Sequence, residues 1–319
     1  MSGTGGFQTQ VYDQPAVAVA GDRASQNPLF SYDAGPGGLI AGAALFVGRF
    51  AWVTPPNDPN GTPTIANSSG SGPVAGFLMR VQQALNTTYL SNAGMQVQRG
   101  VQTALQIGGD FWVVNDGSTD AIPGQKAFAN FADGKASFAA AGSTPATGAS
   151  ATGSTIGAST FSVTASIEND DEMIVTAVGS GTVVAGATIS GTGVNSGSKV
   201  IAQISGTPGG VGVYQVTPQA DVASTTISGT YGTLTVGTVT TGNFAVGQVL
   251  NATGSVVAGT TITQALTGTG GSGSTFVVDN NTAVGSQVIS SQSNVETKWY
   301  ARSAGTPGQL VKISSTPLG

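Results

Sequence analysis

Histidine and cysteine, the side chains that most often serve nucleophilic catalysis and metal binding, are both missing from the 319-residue sequence. Their absence excludes Ser-His-Asp and Cys-His nucleophile systems, disulfides and thiolate metal sites. It also removes the commonest proton shuttle at physiological pH. Any chemistry would therefore have to come from carboxylate pairs, lysine, tyrosine or a metal site built only from oxygen ligands.

One acidic run could supply oxygen ligands to a hard cation such as Ca²⁺. It consists of Glu168, Asp170, Asp171 and Glu172. Its spacing does not follow the calcium-loop pattern, and no glycine stands at the position where that loop turns sharply. The sequence therefore favours a solvated turn over a metal site, and no metal or cofactor is predicted.

Two carboxylates near a tryptophan suggest a second possibility, a sugar-binding aromatic flanked by acids. Asp110 and Asp116 lie on either side of Trp112. A carbohydrate-active enzyme would use such a carboxylate pair. A buried aromatic between two turns is the commoner arrangement, and we favour it. Asp116 then belongs to the turn Asn115-Asp116-Gly117, and an enzyme is not predicted.

A glycine motif matches the dinucleotide-binding pattern in form only. Gly268, Gly270 and Gly273 have the required spacing, but a strand-like run, Thr275-Phe276-Val277-Val278, follows them. Dinucleotide binding needs a helix whose N-terminus receives the pyrophosphate. The motif is therefore predicted to be a turn between two strands.

The composition of the chain predicts an all-β protein with many short strands. Charged residues make up 8% of the chain, glycine occurs 49 times, and the net charge is −5. Thr and Val favour pleated surfaces, and Gly marks turns. The ten basic residues are scattered, so no nucleic-acid partner is predicted. No signal peptide or membrane-spanning run is visible either, so we expect a soluble protein made in the cytoplasm, with no membrane partner.

The chain divides by composition into five zones. Residues 1–138 contain most of the aromatic and charged residues, in short apolar runs separated by turn signals. We expect these to form a β-barrel or jelly-roll-like domain. Residues 139–160 are almost entirely Ala, Gly, Ser and Thr, which predicts a flexible linker. Residues 161–230 and 231–293 repeat each other at an offset of about sixty positions, which predicts tandem small β-sandwiches. Residues 294–319 regain charge and aromatics and should close the first domain, so the repeats are interpreted as an insertion.

Several segments outside the repeats resemble the structural cement (capsid decoration) proteins of tailed bacteriophages. They are residues 7–22, 27–28, 34–39, 47–52, 76–77, 82–85, 87–90, 109–112 and 124–127, and after the repeats 296–300 and 308–313. The repeats are similar to Gly/Thr-rich modules appended to many phage virion proteins. The resemblance implies a virion protein without catalytic residues, bound to the outer capsid surface and bridging neighbouring major capsid subunits.

The same resemblance gives the expected partners. These are the major capsid protein and further copies of the chain, with a trimer favoured over a dimer. The repeats are expected to project outward, either as inert spacers or as weak binders of host-surface glycans. The alternative is a tail-fibre or receptor-binding adhesion protein that recognises such glycans. It is disfavoured because the repeats lie between two matching halves of one domain.

The N-terminal segment is the predicted capsid contact. It is extended in character and rich in Gln, Val and Pro, so we expect it to lie across a neighbouring subunit as an added strand or clamp. The predicted contact residues are Phe7, Gln8, Val11, Tyr12, Gln14, Pro15, Val17 and Val19.

Overall fold

A computed structural model describes the chain at residues 17–32, 38–56, 63–81, 95–143, 145–169, 171–251 and 253–316. These stretches contain strands and turns and no helix, which confirms the predicted all-β class. None of them contains a helix long and apolar enough to cross a membrane. The chain forms two compact units. The first comprises Met1–Val53, Ala66–Thr144 and Val295–Gly319, and the second comprises Thr54–Ile65 and Pro145–Asn294.

The strands before residue 140 and after residue 293 are short. They are β1 (Phe30–Tyr32), β2 (Leu39–Ala41), β3 (Leu45–Phe46), β4 (Phe50–Thr54), β5 (Thr64–Asn67), β6 (Gly76–Phe77), β7 (Gln96–Val97), β8 (Leu105–Gly108), β9 (Asp110–Val114), β10 (Lys126–Asn130), β11 (Ala136–Ala139), β23 (Asn294–Ala301) and β24 (Leu310–Ser314). They build a six-stranded sheet in the order β1-β8-β6-β4-β5-β2, a five-stranded sheet in the order β11-β10-β23-β24-β9, and the pair β3-β7.

The five-stranded sheet curls until its two edges meet. Asn115, directly after β9, forms a parallel bridge with Ala136 in β11, and the amide of Asp116 donates to the carbonyl of Ala136 at 2.8 Å. Closure of this kind removes unpaired strand edges. It agrees with the predicted barrel-like architecture. The C-terminal strands β23 and β24 lie in the middle of this sheet, between β10 and β9.

A chain of buried aromatic rings joins β23 to the strands of the six-stranded sheet. The ring centroids of Trp299 and Phe50 are 5.3 Å apart, those of Phe50 and Phe77 are 5.5 Å apart, and those of Phe77 and Phe111 are 5.0 Å apart. All four side chains are almost fully buried. Offset and edge-to-face contacts at these distances add to the burial of apolar area. Phe50 lies in the middle of this chain of rings.

Replacing Phe50 with Ala should therefore lower the free energy of unfolding by about 3–5 kcal/mol, because it leaves a cavity between Trp299 and Phe77. Denaturant titration followed by tryptophan fluorescence would measure the loss. Phe30→Ala is the matched control, since Phe30 is 61% exposed, and should change stability by less than about 1 kcal/mol. Equal losses for the two variants would contradict this account of the core.

The remaining strands form one eleven-stranded sheet within the second unit. They are β12 (Thr147–Glu168), β13 (Glu172–Ser180), β14 (Thr188–Gly191), β15 (Val200–Gly206), β16 (Gly212–Val216), β17 (Val222–Thr235), β18 (Thr238–Gly242), β19 (Val249–Leu250), β20 (Ile262–Thr267), β21 (Thr275–Val278) and β22 (Val284–Gln292). At about 3.3 Å per residue, the 22 residues of β12 could extend over roughly 70 Å.

The two halves of β12 pair with different partners. Its C-terminal half pairs with β13 and with β17, in a register that places Ser162 opposite Ser228. Its N-terminal half pairs with β18 and with β22, in a register that places Ser150 opposite Ser290. Ser228 and Ser290 are equivalent positions in the two repeats, so the halves of β12 perform the same role in each repeat.

Each half of β12 also belongs to a different hydrophobic core. Phe161 and Val163 pack with residues of the first repeat, such as Tyr214 and Ile227. Ala149 and Ala151 pack with residues of the second repeat, a group that includes Leu234, Phe276 and Ile289. The second core therefore takes its first strand from residues that precede the first repeat. The sequence predicts two tandem repeats. In the structure the first repeat is instead nested inside the second.

The predicted linker at residues 139–160 is the clearest correction. Residues 147–160 belong to β12, and Ala149, Ala151 and Ile156 are at most 4% exposed. The composition conceals this strand because alanine buries little area by itself. Its burial depends on β18 and β22, which are distant in the sequence. The boundaries predicted for the other zones stay predictions.

Nesting predicts that the two repeats respond differently to deletion. Residues 159–231 can be replaced by Asn-Gly, because Ala158 and Gly232 already face each other across the ladder and that dipeptide forms a two-residue hairpin turn. The shortened chain should keep the core of the second repeat and unfold cooperatively on heating. Removing residues 231–293 instead should expose Ala149, Ala151 and Ile156 and lower the melting temperature. Equal tolerance of both deletions, judged by circular dichroism melts, would support tandem repeats.

Candidate functional site: the anchored N-terminal segment

The predicted contact segment reaches the described part of the chain only at its end. Phe7, Gln8, Val11, Tyr12, Gln14 and Pro15 lie outside the described residues, whereas Val17 is 86% exposed and Val19 is 43% exposed. We call residues 7–19 the arm. These two exposed valines, separated by Ala18, leave apolar surface available to a partner.

Residues 21–24, which we call the clamp, attach the chain to the first unit directly after the arm. The amide of Gly21 donates to the carbonyl of Trp112 at 2.7 Å, and the amide of Trp112 donates to the carbonyl of Asp22 at 2.9 Å. The amide of Ala24 donates to the carbonyl of Asp110 at 2.9 Å, and Arg23 bridges to Phe111. The clamp thus adds a short antiparallel segment to β9, the last strand of the five-stranded sheet.

Two glycines allow the chain to pass closely at this point. Gly21 has a φ of 90°, and a Cβ atom there would lie 2.8 Å from Cγ1 of Val47. Gly48 has a φ of 77°, and a Cβ atom there would lie 2.9 Å from the carbonyl carbon of Ala20. A larger residue at either position would combine an unfavourable backbone conformation with a steric clash. The start of the clamp is therefore fixed by backbone packing.

Asp22 connects the arm to the body of the unit. Its Oδ2 accepts the amide hydrogen of Val19 at 2.9 Å, and its Oδ1 accepts a hydrogen bond from Nη1 of Arg80 at 2.9 Å. The Arg80 amide in turn donates to the carbonyl of Gly21 at 2.8 Å. Partial desolvation opposes ionisation of Asp22, but the hydrogen bonds from Val19 and Arg80 and the charge of Arg80 lower its pKa below the usual value.

Asp110 holds the chain beyond the clamp and is not part of a catalytic pair. Its Oδ2 accepts hydrogen bonds from the Ser25 hydroxyl at 2.6 Å and the Asn27 amide at 2.8 Å. Burial by itself would raise its pKa, but hydrogen bonds from Ser25, Ser314 and Asn27, together with the charge of Lys312, lower it. The carboxylate therefore remains ionised in a buried position that fastens residues 25–27 to β9.

Asp116, the second carboxylate near Trp112, has a different role from Asp110. Asp116 is exposed, and its Oδ1 lies 3.2 Å from Nζ of Lys135. Trp112 is only half-buried in β9, although the sequence favours a buried aromatic. The two carboxylates thus have separate structural partners. The arrangement does not bring them together as an acid and a base on one substrate.

The acidic run and the glycine motif both occur at hairpin turns. Within the described residues, no three acidic side chains lie together as a metal site would require, and Asp170 lies outside those residues. The side chain of Asp171 is buried and accepts a hydrogen bond from Gln215 at 3.0 Å. Gly268, Gly270 and Gly273 all have positive φ and join β20 to β21, which confirms the predicted turn.

A cavity of about 260 Å³ opens beside Ala20, at the base of the arm. Val47, Met95 and Val113 contribute apolar walls. The charged side chains that line it have partners of opposite sign. Lys135 pairs with Asp116 at 3.2 Å, and Arg49 lies 4.0 Å from Asp133.

A comparison with protein families identifies the group to which the chain belongs. The family model of the XM1 gp53 minor capsid protein matches residues 7–167, half of the chain. The chain belongs to this family. It is therefore a structural protein of a phage virion, and the match supports a non-enzymatic role. No curated protein and no solved structure matches the chain.

The matched region includes the arm, the clamp and β9, but also reaches into β12. The resemblance to phage cement proteins is thus supported at the level of a capsid-associated protein. Sequence reasoning missed the clamp, although Gly21-Asp22 directly after the apolar arm is a turn signal that could have indicated where the arm is attached.

Replacing Asp110 with Asn should weaken the attachment of residues 25–27 to β9. Because the folded-state pKa of Asp110 is lowered, its ionised form stabilises the fold above the usual pKa of 3.8, and this contribution is lost as the pH falls through the folded-state value. Asp110→Asn should therefore cost about 1–3 kcal/mol at pH 7 and progressively less below pH about 4. Denaturant titrations between pH 3 and 7 would measure the difference.

Asp116→Asn is the matched control, since Asp116 makes an exposed ion pair that should contribute less than about 1 kcal/mol. A loss for Asp110→Asn that does not change with pH would contradict the proposed role of the ionised carboxylate.

Proposed function

We propose that the protein is a capsid cement protein, which binds the outer surface of the shell and bridges neighbouring major capsid subunits through its arm. Membership of a minor capsid protein family supports an attachment to the capsid. The observation that carries the proposal is the exposed apolar C-terminal end of the arm, where Val17 is 86% exposed shortly before the hydrogen-bonded clamp. An exposed apolar segment on a fixed base is suited to binding another protein.

The surface around the clamp supports the same role. Val81 is 44% exposed and follows Arg80, whose amide and guanidinium both bind the clamp. Val19 and Val81 therefore border the same hydrogen-bonded junction. Apolar side chains beside a polar, well-ordered rim are typical of protein interfaces. We propose that these valines accompany the arm in the contact with the capsid.

A cement protein stabilises a shell by binding the assembled form and not its dissociated subunits, which shifts the assembly equilibrium by mass action. Many copies on one shell, or several arms in one oligomer, would turn a modest single contact into strong attachment through avidity. We propose a homo-oligomer, with a trimer favoured over a dimer. The repeats would then project outward, away from the shell.

Deleting residues 2–16 tests this function, because it removes most of the arm and leaves every described residue in place. The shortened protein should fold normally and fail to co-sediment with capsids that lack the native protein. The control removes residues 146–293, joined by a short Gly-Ser segment, and should still bind. Capsid binding without the arm would reject the arm as the contact.

The position of the protein on the particle distinguishes a capsid cement protein from a tail-fibre or receptor-binding protein. A cryo-EM reconstruction should place the protein at every quasi-equivalent site on the outside of the shell, in hundreds of copies. Density confined to the tail or to one vertex would favour a tail-fibre or receptor-binding protein. In that case the repeats would become the candidate glycan-binding part.

A further inference from the structure

The arm requires a defined starting direction if it is to reach a fixed site on a neighbouring subunit. A flexible attachment would impose an entropic cost on every binding event, since each ordered residue loses about 1–2 kcal/mol of conformational freedom. Preorganisation before binding reduces that cost. The hydrogen bonds of the described residues indicate which side chain provides it.

We propose that Asp22 is the positioning residue of the arm, fixing the direction in which the chain leaves the clamp towards the capsid. This inference rests on the proposed function. One carboxylate oxygen binds the Val19 amide and the other binds Arg80, so the side chain links the last residues of the arm to the body. The Asp22 amide also donates to the carbonyl of Val19 at 3.0 Å, which closes a tight turn.

The main-chain contacts of the clamp allow the role of this side chain to be separated from folding. Gly21, Asp22 and Ala24 are held on β9 and Arg80 through backbone atoms, and these bonds do not need the carboxylate. Loss of the carboxylate should therefore leave the clamp and the core in place. It should loosen only the turn at residues 19–22, which then keeps just the main-chain bond from the Asp22 amide to the Val19 carbonyl.

Asp133 provides a matched control in the same unit. Its Oδ1 also accepts a nearby main-chain amide, that of Lys135 at 3.2 Å, and its Oδ2 lies 3.5 Å from Nζ of Lys135. The exposure of its side chain, 34%, is close to the 30% of Asp22. Asp133→Ala thus removes a similar set of contacts at a place that does not hold the arm.

The chain contains no cysteine, so spin labels can be attached at two introduced thiols without background. Val17→Cys reports on the arm, and Ile122→Cys, at a position 58% exposed, reports on the body. Pulsed electron resonance should give a narrow distance distribution between these labels in the parent protein and after Asp133→Ala. Asp22→Ala should broaden it markedly, and Asp22→Asn, which keeps an acceptor for the Val19 amide, should give an intermediate width.

The same variants should then be assayed for binding to capsids that lack the native protein. Asp22→Ala should weaken binding roughly tenfold by losing preorganisation, while Asp133→Ala should bind as the parent does. The two variants should lower the melting temperature by similar, small amounts, because each loses a partly exposed ion pair. An Asp22→Ala distribution as narrow as that of the parent would overturn the proposal, as would unaltered capsid binding by a variant whose distribution is broad. Failure of the proposed function is distinguishable, because deletion of residues 2–16 would then leave capsid binding intact.

Discussion

The packing of Trp299 against Phe50 is the interaction on which the architecture of the chain depends. It joins a strand near the C-terminus to a strand in the first sixth of the sequence, and it does so inside the core of the first unit. Lys126 in β10 also holds β23 in place. Its buried ammonium group donates to the carbonyls of Thr297 and Lys298 and lies 3.9 Å from the centroid of the Tyr300 ring. Burying a charge is costly unless it is bonded in this way. Since β23 must return to this place, the residues between β11 and β23 have to leave the first unit and come back to it.

Strands that are distant in the sequence also complete the cores of the second unit. β12 and β17 each run through both repeats, so neither repeat can form its complete sheet without strands that also belong to the other. Lys199 pairs with Asp279 at 3.2 Å, and the Thr263 hydroxyl donates to the carbonyl of Ala185, which adds side-chain links between the repeats. The outer strands β15 and β20 both have irregular register with their neighbours. Bulges of this kind twist a strand edge and discourage pairing with further chains. A strand-rich unit with few charged side chains needs such protection.

The sequence was sufficient for those features that depend on local chemistry. Thr, Val and Gly patterns predict strands and turns, and the glycine motif at residues 268–273 is a hairpin turn because only strand-like residues follow it. Local patterns failed where burial depends on distant partners. Ala149 and Ala151 are core residues only because β18 and β22 cover them, so their segment was predicted to be a linker. The role of Asp22 also escaped sequence reasoning, since its partner Arg80 lies 58 positions away and nothing in the local pattern distinguishes it from a turn former. Only the end of the predicted capsid-contact segment, Val17 and Val19, lies within the described residues, and its role stays a proposal.

The formal charge is distributed unevenly between the two units. The second unit contains seven acidic residues (Asp58, Glu168, Asp170, Asp171, Glu172, Asp221 and Asp279) and one basic residue, Lys199, so 1 − 7 gives a formal charge of −6. The first unit contains the other nine basic and eight acidic residues, so 9 − 8 gives +1. Like charges repel at separations below the Debye length, about 8 Å at physiological ionic strength. If copies associate as we propose, close contacts between their second units are disfavoured, whereas the nearly neutral first units can approach each other. The charge asymmetry would then favour association through first units and keep the second units of neighbouring copies apart.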